Sequence, residues 1–132
     1  MAVHHLHHFN IRVPAELLEP VRDFYIRVVG LVEGDRPPFR FAGHWLYAGG
    51  HPVLHMMAAK EGQELSNASG SIDHVAFACS DYEATCRHLH DHGIVFRTSI
   101  VPGTAQQQIF FRDPVGNGIE LNFSLERAQA RA

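Results

Sequence analysis

A chain of 132 residues with 45% hydrophobic content is long enough to bury one sizeable core, and it reads as a single domain over residues 1–132. Its formal net charge is −3, with 11 Lys and Arg against 14 Asp and Glu and the signs interspersed, so it lacks the basic patch that nucleic-acid binding needs. No stretch has the length of a membrane span, and Met1 to Asn10 has neither Lys, Arg nor a continuous apolar run, which excludes a signal or transit peptide and points to the cytoplasm. Two cysteines, Cys79 and Cys86, fall on a strand and a helix respectively and are expected as thiols. Eleven histidines are the compositional oddity.

In chain order, Phe9, Ile11 and Val13 alternate with His8, Asn10 and Arg12, the period of a half-buried strand. After Pro14 the period changes: Val21, Phe24, Tyr25 and Val28 form a helical stripe, with Pro20 in its first turn and Gly30 at its exit. Leu31 to Gly34 begins a strand that Arg36-Pro37-Pro38 breaks and Phe39-Arg40-Phe41 resumes. His44 to Ala48 and Val53 to Met57 follow, joined by the turn Gly49-Gly50-His51-Pro52. The first module is therefore βαβββ, over about 6–59. Residues 60–71 (KEGQELSNASGS) are polar and without apolar period, a linker or a functional loop.

Beyond the linker the pattern restarts, over about 72–124. Ile72 to Cys79 alternates like the first strand, with Val75, Phe77 and Cys79 on the packing face. Ser80-Asp81-Tyr82-Glu83 reads as a capping box with Ser80 as N-cap, opening a helix whose stripe is Tyr82, Cys86 and Leu89 and whose stop is Gly93. Strands are expected over Ile94 to Thr98, Gln107 to Arg112 and Gly116 to Phe123. The last is entered through Asp113-Pro114-Val115-Gly116, which suits a type I turn. Residues from Ser124 onward read as a frayed helix or disorder.

This is an internal repeat. Aligning His8 with His74 matches HFNIRV to HVAFAC, and nearly the same interval then separates His8 from His55 as separates His74 from Glu120. All four are polar residues among apolar neighbours of opposite phase. If the modules pack their sheets around one cavity, all four can converge there.

At these residues the sequence resembles the vicinal oxygen chelate superfamily, which includes glyoxalase I, extradiol dioxygenases, methylmalonyl-CoA epimerase and the fosfomycin and bleomycin resistance proteins. The resemblance runs from His8 to Phe123 and rests on HFNIRV, DFYIRVVGL, DHVAFA and FFRDPVGNGIELNF, in that order. It implies an α+β fold of two βαβββ modules forming an open barrel-like sheet around a divalent metal, with His8, His74 and Glu120 as ligands. It also implies a small-molecule substrate and a homodimer, with the linker as a hinge for exchange of modules between subunits. Two imidazoles and a carboxylate accept Fe(II), Mn, Ni, Co or Zn and leave positions for vicinal substrate oxygens.

His55 separates the subfamilies. Glyoxalase I has Glu or Gln at this register and the epimerase has Gln, whereas extradiol dioxygenases place an acid–base histidine on the matching strand. His55 is expected in that role, or as a fourth ligand. One departure counters it: the tyrosine that dioxygenases carry ten residues before the metal-binding Glu is Phe110 here. The sequence thus favours a metal-dependent, dioxygenase-type enzyme, with a glyoxalase-like lyase or isomerase and a non-catalytic antibiotic-binding protein as alternatives. Trp45, Tyr47, Met57 and Phe110 could line the cavity, although such residues on strands are core by default. Arg12, Arg40 and Arg112 could hold an anionic substrate, with exposed salt-bridging as the ordinary alternative. His4, His5 and His7 are expected as solvent-exposed end residues, and His88, His90 and His92 at the C-terminal end of the second helix, where imidazolium suits the dipole.

Overall fold

A computed structural model describes residues 1–65 and 70–124; the end of the expected linker, 66–69, and the expected frayed tail beyond Ser124 lie outside the described residues. The alternating segments form eight strands: β1 (Phe9–Val13), β2 (Val32–Gly34), β3 (Gly43–Ala48), β4 (His51–Ala58), β5 (Val75–Cys79), β6 (Arg97–Ile100), β7 (Gln106–Arg112) and β8 (Gly118–Ser124). Two helices, α1 (Leu18–Phe24) and α2 (Tyr82–Asp91), each follow the first strand of a module. The fold is α+β, and βαβββ occurs twice. The chain divides into two compact units, Met1–Leu65 and Ser66–Ala132.

In the first unit the strand order is β1-β4-β3-β2, and in the second β5-β8-β7-β6. The first and last strands of each module pair in parallel, β1 with β4 and β5 with β8; the other neighbours are antiparallel. A parallel neighbour needs a crossover, which the helix provides. In the first unit α1 packs against β4; Leu18 and Val21 of the helix, and Tyr25 just beyond it, are buried, as are Val13, Leu46, Leu54 and Met56. In the second, Leu89 of α2 is fully buried, as are Ile109 and Ile119, with Phe111, Leu121 and Phe123 nearly so. Each such side chain contributes about 1.5–3 kcal/mol over its exposed state. Because one sheet face goes to the helix, the opposite face is where His55 and Glu120 project.

Several local features depart from the expected ones. The N-cap of α2 is Asp81, not Ser80: Asp81 takes a left-handed backbone (φ 67°) and accepts a hydrogen bond from the Ala84 amide at 3.3 Å. After α1 the chain widens into a π-helical turn, Tyr25–Val29, in which the Gly30 and Leu31 amides both donate to the Tyr25 carbonyl at 3.0 Å. Gly30 closes it at φ 93°, a conformation that glycine adopts without strain. Phe39-Arg40-Phe41 is a loop, not a strand; the Arg36 guanidinium lies over both phenyl rings and donates to the Phe41 carbonyl. β5 begins at Val75 rather than Ile72, and β6 at Arg97 rather than Ile94.

The turn before β8 is as expected. The Gly116 amide donates to the Asp113 carbonyl, and the buried Asp113 carboxylate accepts from the Val115 and Asn117 amides and the Asn117 side chain at 2.8–3.0 Å. These bonds set where β8 starts, and so the height of Glu120 in the sheet. Among the described residues no helix is long and apolar enough to cross a membrane.

Candidate metal centre and catalytic histidine

The strand registers place the four candidates at matching positions of the two sheets. Across the first sheet one row reads Asn10, His55, Trp45, Gly34; across the second it reads Ala76, Glu120, Phe110, Arg97. His8 and His74 stand immediately before β1 and β5, two residues ahead of Asn10 and Ala76 and therefore on the same face.

In the second unit His74 and Glu120 come together, with Nε2 3.2 Å from Oε1. Glu120 is 5% exposed. Its Oε1 accepts from the Gln108 side-chain amide at 3.1 Å and its Oε2 from the Asn122 amide at 3.0 Å. His74 Nδ1 meets Asp73 Oδ2 at 2.8 Å. That bond, the charge of His74 and the charges of Arg112 and Arg97 hold the Asp73 carboxyl below its usual range, against the opposing effect of desolvation. An ionised Asp73 accepts a hydrogen bond from Nδ1–H, which leaves Nε2 facing the Glu120 carboxylate. An approach of 3.2 Å between Nε2 and Oε1 needs a proton or a cation between them. The pair therefore fits a divalent ion, with Asp73 as the outer carboxylate that fixes the imidazole tautomer.

In the first unit His8 and His55 come together. The His55 ring lies between His8 (centroids 3.7 Å apart, planes 16° apart) and Trp45 (3.9 Å and 7°). His8 Nδ1 meets His7 Nδ1 at 2.9 Å, so in both modules the side chain just before the candidate ligand engages its Nδ1. His7 is in turn tied to β4, because its carbonyl accepts from His51 Nε2 at 2.7 Å. His7 is exposed, as expected, with its backbone held against β4.

His55 is 7% exposed, and its Nε2 is buried with no hydrogen-bond partner among the described residues. Burial, then the neighbouring His8, lowers its pKa, while a backbone hydrogen bond at Pro52 acts the other way. Nε2, buried and unpartnered, is the ring nitrogen left open to a proton from a ligand. His55 lacks the polar flanks of Glu120 because Gly43 and Met57 occupy the register positions that Gln108 and Asn122 hold in the second sheet.

Thus the structure gathers His74 with Glu120 and His8 with His55, in separate units. Among the described residues no group of three or more His, Cys, Asp or Glu side chains is placed to hold a metal. Of the other expected lining residues, Trp45 stacks on His55, Phe110 stands edge-on to His74 at 5.5 Å, and Tyr47 donates from its hydroxyl to the Asp35 carbonyl. Arg12 and Arg40 are exposed, and His92 Nδ1 bonds the His88 carbonyl at the end of α2. Sequence reasoning passed over Asp73 and Gln108, while alternation along the last strand put Asn122 on the face of Glu120. Gln108 pairs with Asn122 and so shares that face, a signal that alternation along its own strand could have supplied.

Gly118 was also passed over, and it permits the His74–Glu120 approach: a Cβ there would stand 2.3 Å from the Asp73 carbonyl and 3.1 Å from His74 Cβ. Gly118→Ala is expected to push the chain before β5 outward and cost about 1–3 kcal/mol as overpacking does. Urea unfolding should show it as a lower midpoint at unchanged slope; an unchanged midpoint would mean that the contact yields freely.

Among known proteins, the profile of the Glyoxalase/Bleomycin resistance protein/Dioxygenase superfamily matches residues 5–121. No curated protein matches. A solved glyoxalase family protein from Bacillus anthracis superposes with a TM-score of 0.78 at 22% identity, covering 94% of this chain and 98% of that one. An antibiotic binding protein from a Streptomyces species gives 0.67 at 23%, covering 94% and 98%. A fosfomycin resistance protein from Listeria monocytogenes gives 0.69 at 15%, covering 93% and 95%. At these identities the likeness is one of fold.

Proposed function

Since this chain belongs to the Glyoxalase/Bleomycin resistance protein/Dioxygenase superfamily, we propose that it is a divalent-metal-dependent enzyme acting on a small oxygen-chelating substrate, with His8, His74 and Glu120 as the ligands. The observation that carries this reading is the His74 imidazole held between two carboxylates, its Nε2 facing a buried Glu120. A bound divalent ion supplies Lewis-acid polarisation of substrate oxygens, or their activation toward dioxygen if the metal is redox-active.

The chain's own residues do the rest. Nε2 of His55 accepts and returns a proton, and the flanking rings of Trp45 and His8 hold its plane. A base beside His8 suits dioxygenase-type chemistry, placed ahead of glyoxalase-like lyase or isomerase chemistry, whose family members carry Glu or Gln at this register. The reading carries with it the homodimer implied by the resemblance.

One feature favours a second reading, a non-catalytic binder of a planar antibiotic. Phe39 and Phe41 stack at 5.1 Å, each 44% exposed, and Phe39 continues toward Trp45 at 6.2 Å. Elemental analysis of protein purified without a tag separates the two. Stoichiometric metal is expected in the native protein and its loss in His74→Ala; native protein without metal, or a variant with undiminished metal, would sink the enzyme reading.

A further inference from the structure

The second unit contains a cavity of about 510 Å³ at the end of its sheet, where β5 and β8 begin and β7 ends, and His74 is one of its walls. Two guanidinium groups, Arg97 and Arg112, face it together with a single carboxylate, Asp73. That carboxylate is engaged by His74 Nδ1, so the cavity is left with an excess of positive charge. Arg97 lies over the Phe110 ring, its guanidinium carbon 4.2 Å from the centroid, and the contact to the ring holds the group in place. Arg112 spends one nitrogen on the Gly116 carbonyl at 2.8 Å and is fixed by it. Apolar surface is present as well, from Phe110 and from Val95, which is 92% exposed.

The repeat sharpens the point. Position for position, Arg97 of β6 corresponds to Gly34 of β2, each opposite the aromatic residue that neighbours the candidate site residue. The first module leaves the position without a side chain, and the second fills it with a cation. An arginine pinned on an aromatic ring in a cavity whose wall is His74 is placed for recognition more than for solubility.

We propose that this cavity binds the anionic end of the substrate, an organic oxyanion such as a carboxylate, phosphate or phosphonate on a small apolar body, with Arg97 and Arg112 as its clamp. This rests on the enzyme reading above only in calling the ligand a substrate; oxyanion binding itself needs no metal. Guanidinium edges match the paired oxygens of such groups, and the phenyl and valyl surfaces cover the carbon adjoining them.

The test is a titration of the full-length protein with phenylphosphonate, followed by amide NMR, on the protein as isolated and again after chelation of metal. Saturable shifts are expected at Val95, Arg97, Phe110 and Arg112 in both forms. Loss of a charge-assisted bond predicts about tenfold weaker binding in Arg97→Gln, with Arg97→Lys intermediate. Affinity unchanged in Arg97→Gln, shifts confined to other residues, or binding abolished by chelation would overturn it. Protein without metal that still shows these shifts would fault the enzyme reading alone; metal retained without them would fault only the clamp.

Discussion

His55→Ala is expected to keep its metal and lose turnover by about 10²–10⁴-fold, the usual contribution of a positioned acid–base group. Nε2 is buried, and no protein group of the described residues satisfies it. Burial and the adjacent His8 keep the ring neutral at pH values where an exposed histidine would be partly charged. Such a nitrogen is costly to leave unpaired in a fold, and a substrate proton would pair it. The assays are oxygen uptake with Fe(II) and a catechol panel, and isomerisation of thiol–methylglyoxal adducts with Ni or Zn. Ring ¹⁵N shifts give a reading independent of turnover, and the Nδ1–H tautomer should be seen. Metal lost from His55→Ala would make the residue a fourth ligand, and full turnover would remove it from the chemistry.

The parts of this molecule legible in the sequence are those whose signal is local and periodic. Alternation in Phe9–Val13 and the stripe Val21, Tyr25 and Val28 record a one-sided sheet under a helix, and the repeat of that order gives the second module. Element ends were harder, because partners far away in sequence decide them. Ile72 is apolar but out of phase with Val75, Phe77 and Cys79, and it is 82% exposed; β5 pairs in parallel with β8, and the segment preceding β8 is occupied in the Asp113 turn. Phe39-Arg40-Phe41 alternates like a strand, yet Arg36 gathers both rings by cation–π contact and binds the Phe41 carbonyl, a tertiary arrangement that no period encodes. Ser80 and Asp81 are both good caps, and only the backbone, left-handed at Asp81, selects between them.

At the candidate site, residue types and spacing disclosed His8, His55, His74 and Glu120, but not what surrounds them. Glu120 and His55 hold the same register position in their sheets, and their different chemistry is set by the neighbours: two amides beside one, a glycine and a methionine beside the other. Arg97 was invisible for the same reason. On its own strand it is one exposed cation among several, and it acquires meaning through its pairing with Phe110.

Glu120→Gln should leave the metal-free protein within about 1 kcal/mol of native stability while abolishing the stabilisation that metal confers. The carboxylate faces three groups able to donate: the Gln108 and Asn122 amides and, when protonated there, His74 Nε2. An acceptor-only group meets that set, and the isosteric carboxamide keeps one oxygen to meet part of it, with Gln108 and Asn122 only half-buried and able to recruit water. Metal is a different matter, because a neutral amide supplies no charge to offset the ion. Loss of an outer-shell partner alone weakens binding about 10–100-fold, so loss of a charged ligand should exceed about a hundredfold. Linkage turns this into an unfolding measurement: metal at a hundred times its dissociation constant stabilises native protein by about 2.7 kcal/mol, whereas the variant, near its own dissociation constant or below it, gains under about 0.5 kcal/mol. Thermal or urea unfolding with and without added metal reads the difference without any substrate. Equal stabilisation of native protein and variant would remove Glu120 from the metal, and with it the reason for a carboxylate buried among amides at this register.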